Sequence, residues 1–203
     1  NATSEVPVLS VIIVKEALQN LGAKNVSVYF PDRETEGYGI NEKSLNALKG
    51  CLPALLVTLD CGIGNIRESK IAQDMGFEVI IVDHHEILDK LPSASIIVDP
   101  KQKGDKYPFK YLAAAGLALK LAQEIMGERM TDNLRRNFLE LACMATIADM
   151  MPREDENEKI IEEGLVYLKE SWRPGIQALL NLDDLRELNM QDKVYKINSM
   201  LNI

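Results

Sequence analysis

The chain has 203 residues, of which 46% are hydrophobic and 27% are charged, an ordinary composition for one large globular domain or a domain with an appendage. Its formal net charge of −8 argues against a protein that coats nucleic acid by charge alone, although a metal cluster could still hold a phosphate locally. No apolar run approaches the roughly 20 residues of a membrane span, and no signal peptide is visible.

The first quarter of the chain predicts a helix, a short strand and a short helix. Residues 10–21 carry apolar side chains at helical spacing, and Gly22 follows them as a helix terminator. Residues 26–30 are rich in β-favouring side chains and predict a strand. Residues 31–41 predict a loop, and residues 42–48 a short helix.

The next segment has the pattern of a βαβ unit followed by a third strand. Residues 54–60 and 78–83 are apolar runs that each end in an aspartate, and a helix is predicted between them at residues 66–75. Residues 95–99 form a third run of this kind, closed by Pro100. Uniformly apolar strands flanked by helices predict an α/β fold with a mainly parallel sheet and helices on both faces.

The second half of the chain is predicted to be helical. The spacing of apolar residues favours four helices, and a polar helical tail follows them; the ranges are 112–126, 133–148, 158–169, 175–180 and, for the tail, 182–203. The three cysteines, Cys51, Cys61 and Cys143, lack metal-like spacing and predict reduced thiols in a cytoplasmic protein.

Polar residues follow two of the predicted strands at the point where each strand ends. Asp60 closes the first strand, and Asp83, His84 and His85 follow the second. Ligands of open α/β sheets bind at the carboxyl ends of the strands, so these side chains should lie close together. Carboxylates with imidazoles suit Mn²⁺, Fe²⁺ or Zn²⁺, and acid-rich sites favour Mn²⁺ or Mg²⁺. The competing interpretation is a solvated turn in which one histidine caps a helix.

Asp149 ends the apolar run 139–148. From the residues alone, it is either a buried polar group that needs a partner or a metal ligand, and the two interpretations have equal weight.

Three motifs resemble those of the DHH phosphoesterases. Asp83-His84-His85 resembles the triplet that names the family, residues 57–63 its second motif and residues 145–152 its fourth. Further stretches are similar to the RecJ-like branch of single-strand exonucleases; they are residues 29–33 with 36–41, 98–101 with 107–109, 113–121 and 173–175.

The resemblance implies metal-dependent hydrolysis of single-stranded DNA from the 5′ end, in repair or recombination. It implies Mn²⁺ or Mg²⁺ as cofactor, with two cations about 3.5–4 Å apart. Asp60, His84 and Asp149 would bind metal, with His85 facing the scissile phosphate; these four are the expected catalytic residues. Asp83 would orient a histidine.

The resemblance also suggests residues for the substrate and for further domains. Arg33 and Tyr38 are weaker candidates for substrate binding; Tyr38 could stack on a base, or it could belong to the core. Residues 1–180 would form the DHH phosphoesterase domain, and residues 181–203 a connector helix towards an absent second domain. Single-stranded DNA is the expected partner, together with replication or repair proteins and without a membrane.

The first motif of the family is the main departure. The expected aspartates fall on Ala2, Ser4 and Val6, none of which binds a divalent cation, and the expected glycine falls on Pro7. Glu5 is acidic but out of register. The site would then hold one metal or none and have weak activity, unless the native protein carries the full motif. A catalytically impaired module that binds DNA or replication partners, and a small-nucleotide phosphodiesterase, are the alternatives.

Overall fold

The computed structural model describes residues 6–87 and 90–201. Within them the helices and strands run in the order α1 (Val6–Asn20), α2 (Glu42–Leu48), β1 (Ala54–Leu59), α3 (Ile66–Met75), β2 (Phe77–Val82), β3 (Ile96–Val98), α4 (Ala114–Met126), α5 (Asp132–Ala148), α6 (Asp155–Leu168), α7 (Pro174–Leu180) and α8 (Met190–Leu201). The chain divides into two compact units. Residues 27–110 form the sheet unit, whereas the chain up to residue 26 and from residue 111 onward forms the helical unit.

The sheet unit contains three parallel strands in the order β1-β2-β3. Leu59 is in register with Val82, and Val82 with Val98. Two further backbone hydrogen bonds of 3.0 Å extend the ladder, one from the amide of Asp60 to Val82 and one from that of Asp83 to Val98. The residues that follow the three strands are therefore brought to one edge of the sheet.

Capping residues set the ends of the two helices in the sheet unit. Asn41 and Ser44 form a capping box at the start of α2, in which each side chain bonds the backbone of the other residue. Gly76 ends α3 in the left-handed conformation, with φ of 103°, which glycine adopts without a steric penalty. Both helices contribute to an apolar core with alternate residues of β2; its buried members are Ile40, Leu45, Ala72, Phe77, Val79 and Ile81.

The helical unit is built around α5, which is buried from Phe138 to Ile147. It packs closely against α6, where Gly164 leaves no room for a side chain next to Cys143. Arg173 joins two helices through ion pairs with Glu16 of α1 and the buried Glu140 of α5. No helix in the described part of the chain is both long and apolar enough to cross a bilayer.

The predicted α/β class, the parallel sheet with helices around it and the helical second half are confirmed. The predicted strand at residues 26–30 is wrong, because no strand among the described residues pairs with it. Val28 and Phe30 are exposed, so this segment has neither the hydrogen bonds of a paired strand nor a buried apolar face to stabilise it. The first helix begins earlier than predicted, at Val6, and Pro7 lies in its first turn, where proline is favoured.

The predicted helical tail is present as α8, but it is not polar throughout. Val194 and Ile197, three residues apart, are completely buried on one side of this helix. Asn198 donates a hydrogen bond of 3.4 Å to the backbone oxygen of Met144 in α5. The division of the chain at residue 180 into a domain and a connector stays a prediction.

Candidate metal centre at the carboxyl edge of the sheet

Asp60 is held in an uncommon backbone conformation directly after β1. Its φ of 61° lies in the left-handed region, which aspartate and asparagine tolerate better than most other residues. Gly62 follows with φ of 113°, and a Cβ there would lie 2.6 Å from Oγ1 of Thr58. The Thr58 hydroxyl donates a 2.9 Å hydrogen bond to the backbone oxygen of Cys61, which fixes the turn. The tight turn thus places the Asp60 carboxylate, which is 5% exposed, at the sheet edge.

Asp83 is the hydrogen-bonding centre of the site. Its Oδ1 accepts hydrogen bonds from the amide of His84 at 2.8 Å and from the amide of His85 at 3.3 Å. The same oxygen lies 2.6 Å from Nδ1 of His85, and Oδ2 accepts from the amide of Ile63 at 3.0 Å. Burial by itself would raise the pKa of Asp83, but the His85 ring and the backbone donors outweigh it and lower the pKa below its usual range. Asp83 therefore stays ionised and fixes the direction of the His85 ring.

His84 faces Asp60. Its Nε2 lies 3.0 Å from Oδ1 of Asp60, and both side chains are almost completely buried. Among the described residues, Oδ1 of Asp60 nevertheless accepts no aligned hydrogen bond. Two ligand atoms about 2.1 Å from one cation and at right angles to each other lie about 3 Å apart. The spacing and the unsatisfied carboxylate oxygen therefore fit a divalent cation better than a simple ion pair.

His85 completes a cluster with these two residues. One ligand atom each from Asp60, His84 and His85 can be chosen so that all three lie within 4.8 Å of one another. The centroids of the two imidazole rings are 4.7 Å apart. The histidine pair is thus part of a compact acid and imidazole cluster, and the predicted meeting of these residues at the strand ends is confirmed.

Cys61 lies beside the cluster but does not contribute a ligand to it. Burial raises the pKa of its thiol to about 12, and the charges of Asp83 and Asp60 act in the same direction. The thiol is protonated at neutral pH, and only a thiolate acts as a strong nucleophile or metal ligand. The three cysteines are free, as predicted.

Tyr38 and Arg33 lie on the exposed side of the histidine pair. The Tyr38 hydroxyl donates a hydrogen bond to the backbone oxygen of Asp60, and its ring stands edge-on to that of His85 at 6.2 Å. Burial and the nearby Asp60 charge raise the pKa of Tyr38, which keeps the hydroxyl a donor. The guanidinium carbon of Arg33 lies 5.3 Å from the centre of the Tyr38 ring. Tyr38 is half exposed, so part of its side chain is accessible beside the cluster.

Asp99 belongs to the same edge, although the sequence analysis did not assign it to the site. It follows β3 as Asp60 and Asp83 follow their strands, so the same strand-end rule would have identified it. Asp99 is 2% exposed, and burial raises its pKa, as does the charge of Asp83.

Asp149 lies in the helical unit, at the C-terminal end of α5. Its amide caps the helix through the backbone oxygens of Ala145 and Ile147, and Met150 follows with φ of 50°. The predicted position at the end of an apolar helix is confirmed. Its role as a metal ligand stays a prediction.

The positions that correspond to the first family motif are only partly described. Ala2, Ser4 and Glu5 lie outside the described residues. Val6 and Pro7 stand where the motif has an aspartate and a glycine, and they form the start of α1.

Comparison with curated proteins gives one consistent set of relatives. The chain is 41% identical to the single-stranded-DNA-specific exonuclease RecJ of Bacillus subtilis over 197 residues, which cover 96% of this chain and 24% of that protein. It is 30% identical to the Escherichia coli protein of the same name, and the match covers 92% of this chain and 34% of that protein. The chain thus spans about a quarter to a third of the length of these relatives.

Two solved structures share the fold. One is exonuclease RecJ bound to manganese, with a TM-score of 0.82, 28% identity and coverage of 96% of this chain and 49% of that chain. The other is RecJ of Thermus thermophilus in complex with Mn²⁺, with a TM-score of 0.66, 22% identity and coverage of 97% and 33%. The profile of the DHH family, N-terminal domain, matches residues 8–146. The chain belongs to the DHH family.

Proposed function

We propose that this chain carries the metal-binding core of a phosphodiesterase that degrades single-stranded DNA from its 5′ end. The observation that carries the proposal is the compact cluster of Asp60, His84 and His85, in which a buried carboxylate oxygen without an aligned donor lies 3.0 Å from an imidazole nitrogen. The relatives from Bacillus subtilis and Escherichia coli are single-stranded-DNA-specific exonucleases by name, which supports single-stranded DNA as the proposed substrate.

The cofactor is proposed to be Mn²⁺, with Mg²⁺ as the alternative. Two of the structures that share the fold contain manganese, and a mixed carboxylate and imidazole set suits this ion. A divalent cation at such a site lowers the pKa of a bound water and neutralises charge on the phosphate. Asp60 and His84 would hold the cation.

The remaining residues have separate proposed roles. His85 is fixed by Asp83 through Nδ1, and its ring is proposed to face the phosphate. Its side chain is about half exposed, whereas that of His84 is almost buried, and this difference favours His85 as the group that meets the substrate. The half-exposed ring of Tyr38 would stack on a base, and Arg33 would contact a phosphate near it.

The test is Mn²⁺-dependent release of mononucleotides from a 5′-labelled single strand, together with Mn²⁺ binding followed by electron paramagnetic resonance. The Asp60→Asn variant keeps the left-handed turn, because asparagine also tolerates that conformation, but it removes the charge. We expect it to lose Mn²⁺ binding and cleavage together. Asp74→Asn on the exposed side of α3 is the matched control. Cleavage by the Asp60 variant at the wild-type rate would refute the proposal.

A second function is favoured by one observation, the absence of acids at positions 2, 4 and 6. In this alternative the chain is a catalytically silent module that binds DNA or a replication partner. Single-strand binding without Mn²⁺ binding or cleavage would support the module. Cleavage of dinucleotides but not of longer strands would support a small-nucleotide phosphodiesterase instead.

A further inference from the structure

A rigid turn presents Lys101 at the carboxyl edge of the sheet. Residues 99–102 form a β-turn, in which the amide of Gln102 donates to the backbone oxygen of Asp99 at 3.2 Å. Pro100 occupies the second position of the turn, where its fixed φ is favourable. Oδ1 of Asp99 accepts a hydrogen bond of 2.8 Å from the amide of Lys101. The backbone of Lys101 is therefore fixed before any ligand arrives.

The side chain of Lys101 is directed along the protein surface rather than into solvent. It is 18% exposed, and its Nζ lies 3.0 Å from Oε1 of Glu86, whose side chain is 76% exposed. A surface ion pair with so exposed a partner contributes little to stability, which is a weak structural reason for ordering a lysine. The packed stem of Lys101, in contrast, loses little further conformational freedom when its ammonium group binds a ligand.

The ammonium group of Lys101 pairs with a residue that adjoins the candidate metal cluster in the chain. Glu86, its partner, directly follows His85 in the chain. The charges of Lys101 and His84 both act on the carboxyl group of Asp99, where they oppose the effect of burial on its pKa. A cation of this kind beside a phosphate-cleaving site fits a second phosphate of a nucleic acid backbone.

We propose that Lys101 binds a backbone phosphate of the single-stranded substrate, next to the phosphate that faces His85. Before the substrate binds, the ammonium group of Lys101 forms an ion pair with Glu86, and the phosphate then displaces the Glu86 carboxylate. Glu86 is thus a competitor that favours strands with a well-placed phosphate over weak anions. The inference rests on the proposed function, since it assumes a single-stranded substrate at this edge.

The experiment measures the dissociation constant of a 5′-phosphorylated oligothymidylate by fluorescence anisotropy at several salt concentrations, in EDTA so that no cleavage occurs. We expect Lys101→Gln to weaken binding about tenfold and to reduce the salt dependence by about 0.7 in slope, the value for one phosphate on a single strand. Lys101→Arg should restore most of the affinity, and Glu86→Gln should tighten binding about threefold.

Lys70→Gln is the matched control, since Lys70 pairs with Asp74 on the exposed side of α3. Equal affinity and equal salt slope for the variants at positions 101 and 70 would overturn the inference, as would an oligonucleotide that fails to bind the unchanged chain. The absence of Mn²⁺-dependent cleavage by the unchanged chain would be a different result. It contradicts the proposed function, whereas the measurement in EDTA still decides the role of Lys101.

Discussion

The most informative perturbation of the site is Asp83→Asn, which keeps the shape of the side chain but removes its charge. Asp83 is 1% exposed and accepts hydrogen bonds from three backbone amides and from the His85 ring. Both carboxylate oxygens of Asp83 accept hydrogen bonds, whereas an asparagine has one acceptor oxygen and one NH₂ group. The donors that bond one of the two oxygens would therefore face the NH₂ group, which is itself a donor. Hydrogen bonds to a charged group contribute about 1.5–3 kcal/mol each, and a buried donor without a partner costs about 1–3 kcal/mol. We therefore expect the free energy of unfolding to fall by about 2–4 kcal/mol at pH 7.

The pH dependence of this loss has a definite sign. The pKa of Asp83 is lowered in the folded protein, so its ionised form stabilises the fold above the unfolded-state pKa. That contribution is lost as the pH falls through the folded-state pKa. The difference between the wild-type chain and the variant should therefore shrink at acidic pH.

Urea unfolding followed by far-ultraviolet circular dichroism, at pH 7 and at about pH 3, below the unfolded-state pKa, measures both effects. Asp74→Asn, which changes a mostly exposed carboxylate of α3, is the control and should alter the stability little. Equal stability of Asp83→Asn and the wild-type chain at pH 7 would refute the reasoning. A difference that grows towards low pH would refute the assigned sign.

Two further predictions concern packing and charge in the helical unit. Gly164→Ala places a Cβ 2.3 Å from that of Cys143, so urea unfolding should show a loss of stability of about 3 kcal/mol. The control is Gly175→Ala: a Cβ at this position would have nothing within 4 Å, so the stability should change by less than about 1 kcal/mol. Equal effects of the two substitutions would contradict the packing argument. Arg173→Ala leaves the buried Glu140 uncompensated and should cost about 3–5 kcal/mol. Burial raises the pKa of Glu140, so this loss should decrease as the pH is lowered, and a loss that is independent of pH would contradict this explanation.

The sequence predicts those features that are encoded locally. The predicted limits of α2 and α3 agree with the structure because their ends carry capping residues, Asn41 and Gly76. The positions of Asp60 and the histidine pair follow from the ends of two apolar strands. Local signals thus predicted the central part of the candidate site.

Features that depend on distant partners could not be predicted in the same way. Residues 26–30 have the composition of a strand, but pairing requires a neighbour that composition does not reveal. The hydrogen bond from Tyr38 to Asp60 joins residues 22 positions apart, and no periodicity indicates it. The proximity of Lys101 to Glu86 similarly depends on the turn after β3. Long-range contacts of this kind determine how the site is completed.

The central claim is that Asp60 and His84 bind a divalent cation, and an anomalous difference map from crystals grown with MnCl₂ tests it most directly. The account predicts a manganese peak about 2 Å from a carboxylate oxygen of Asp60 and from Nε2 of His84. A map with no peak at these atoms, or with manganese bound only elsewhere on the protein, would contradict it.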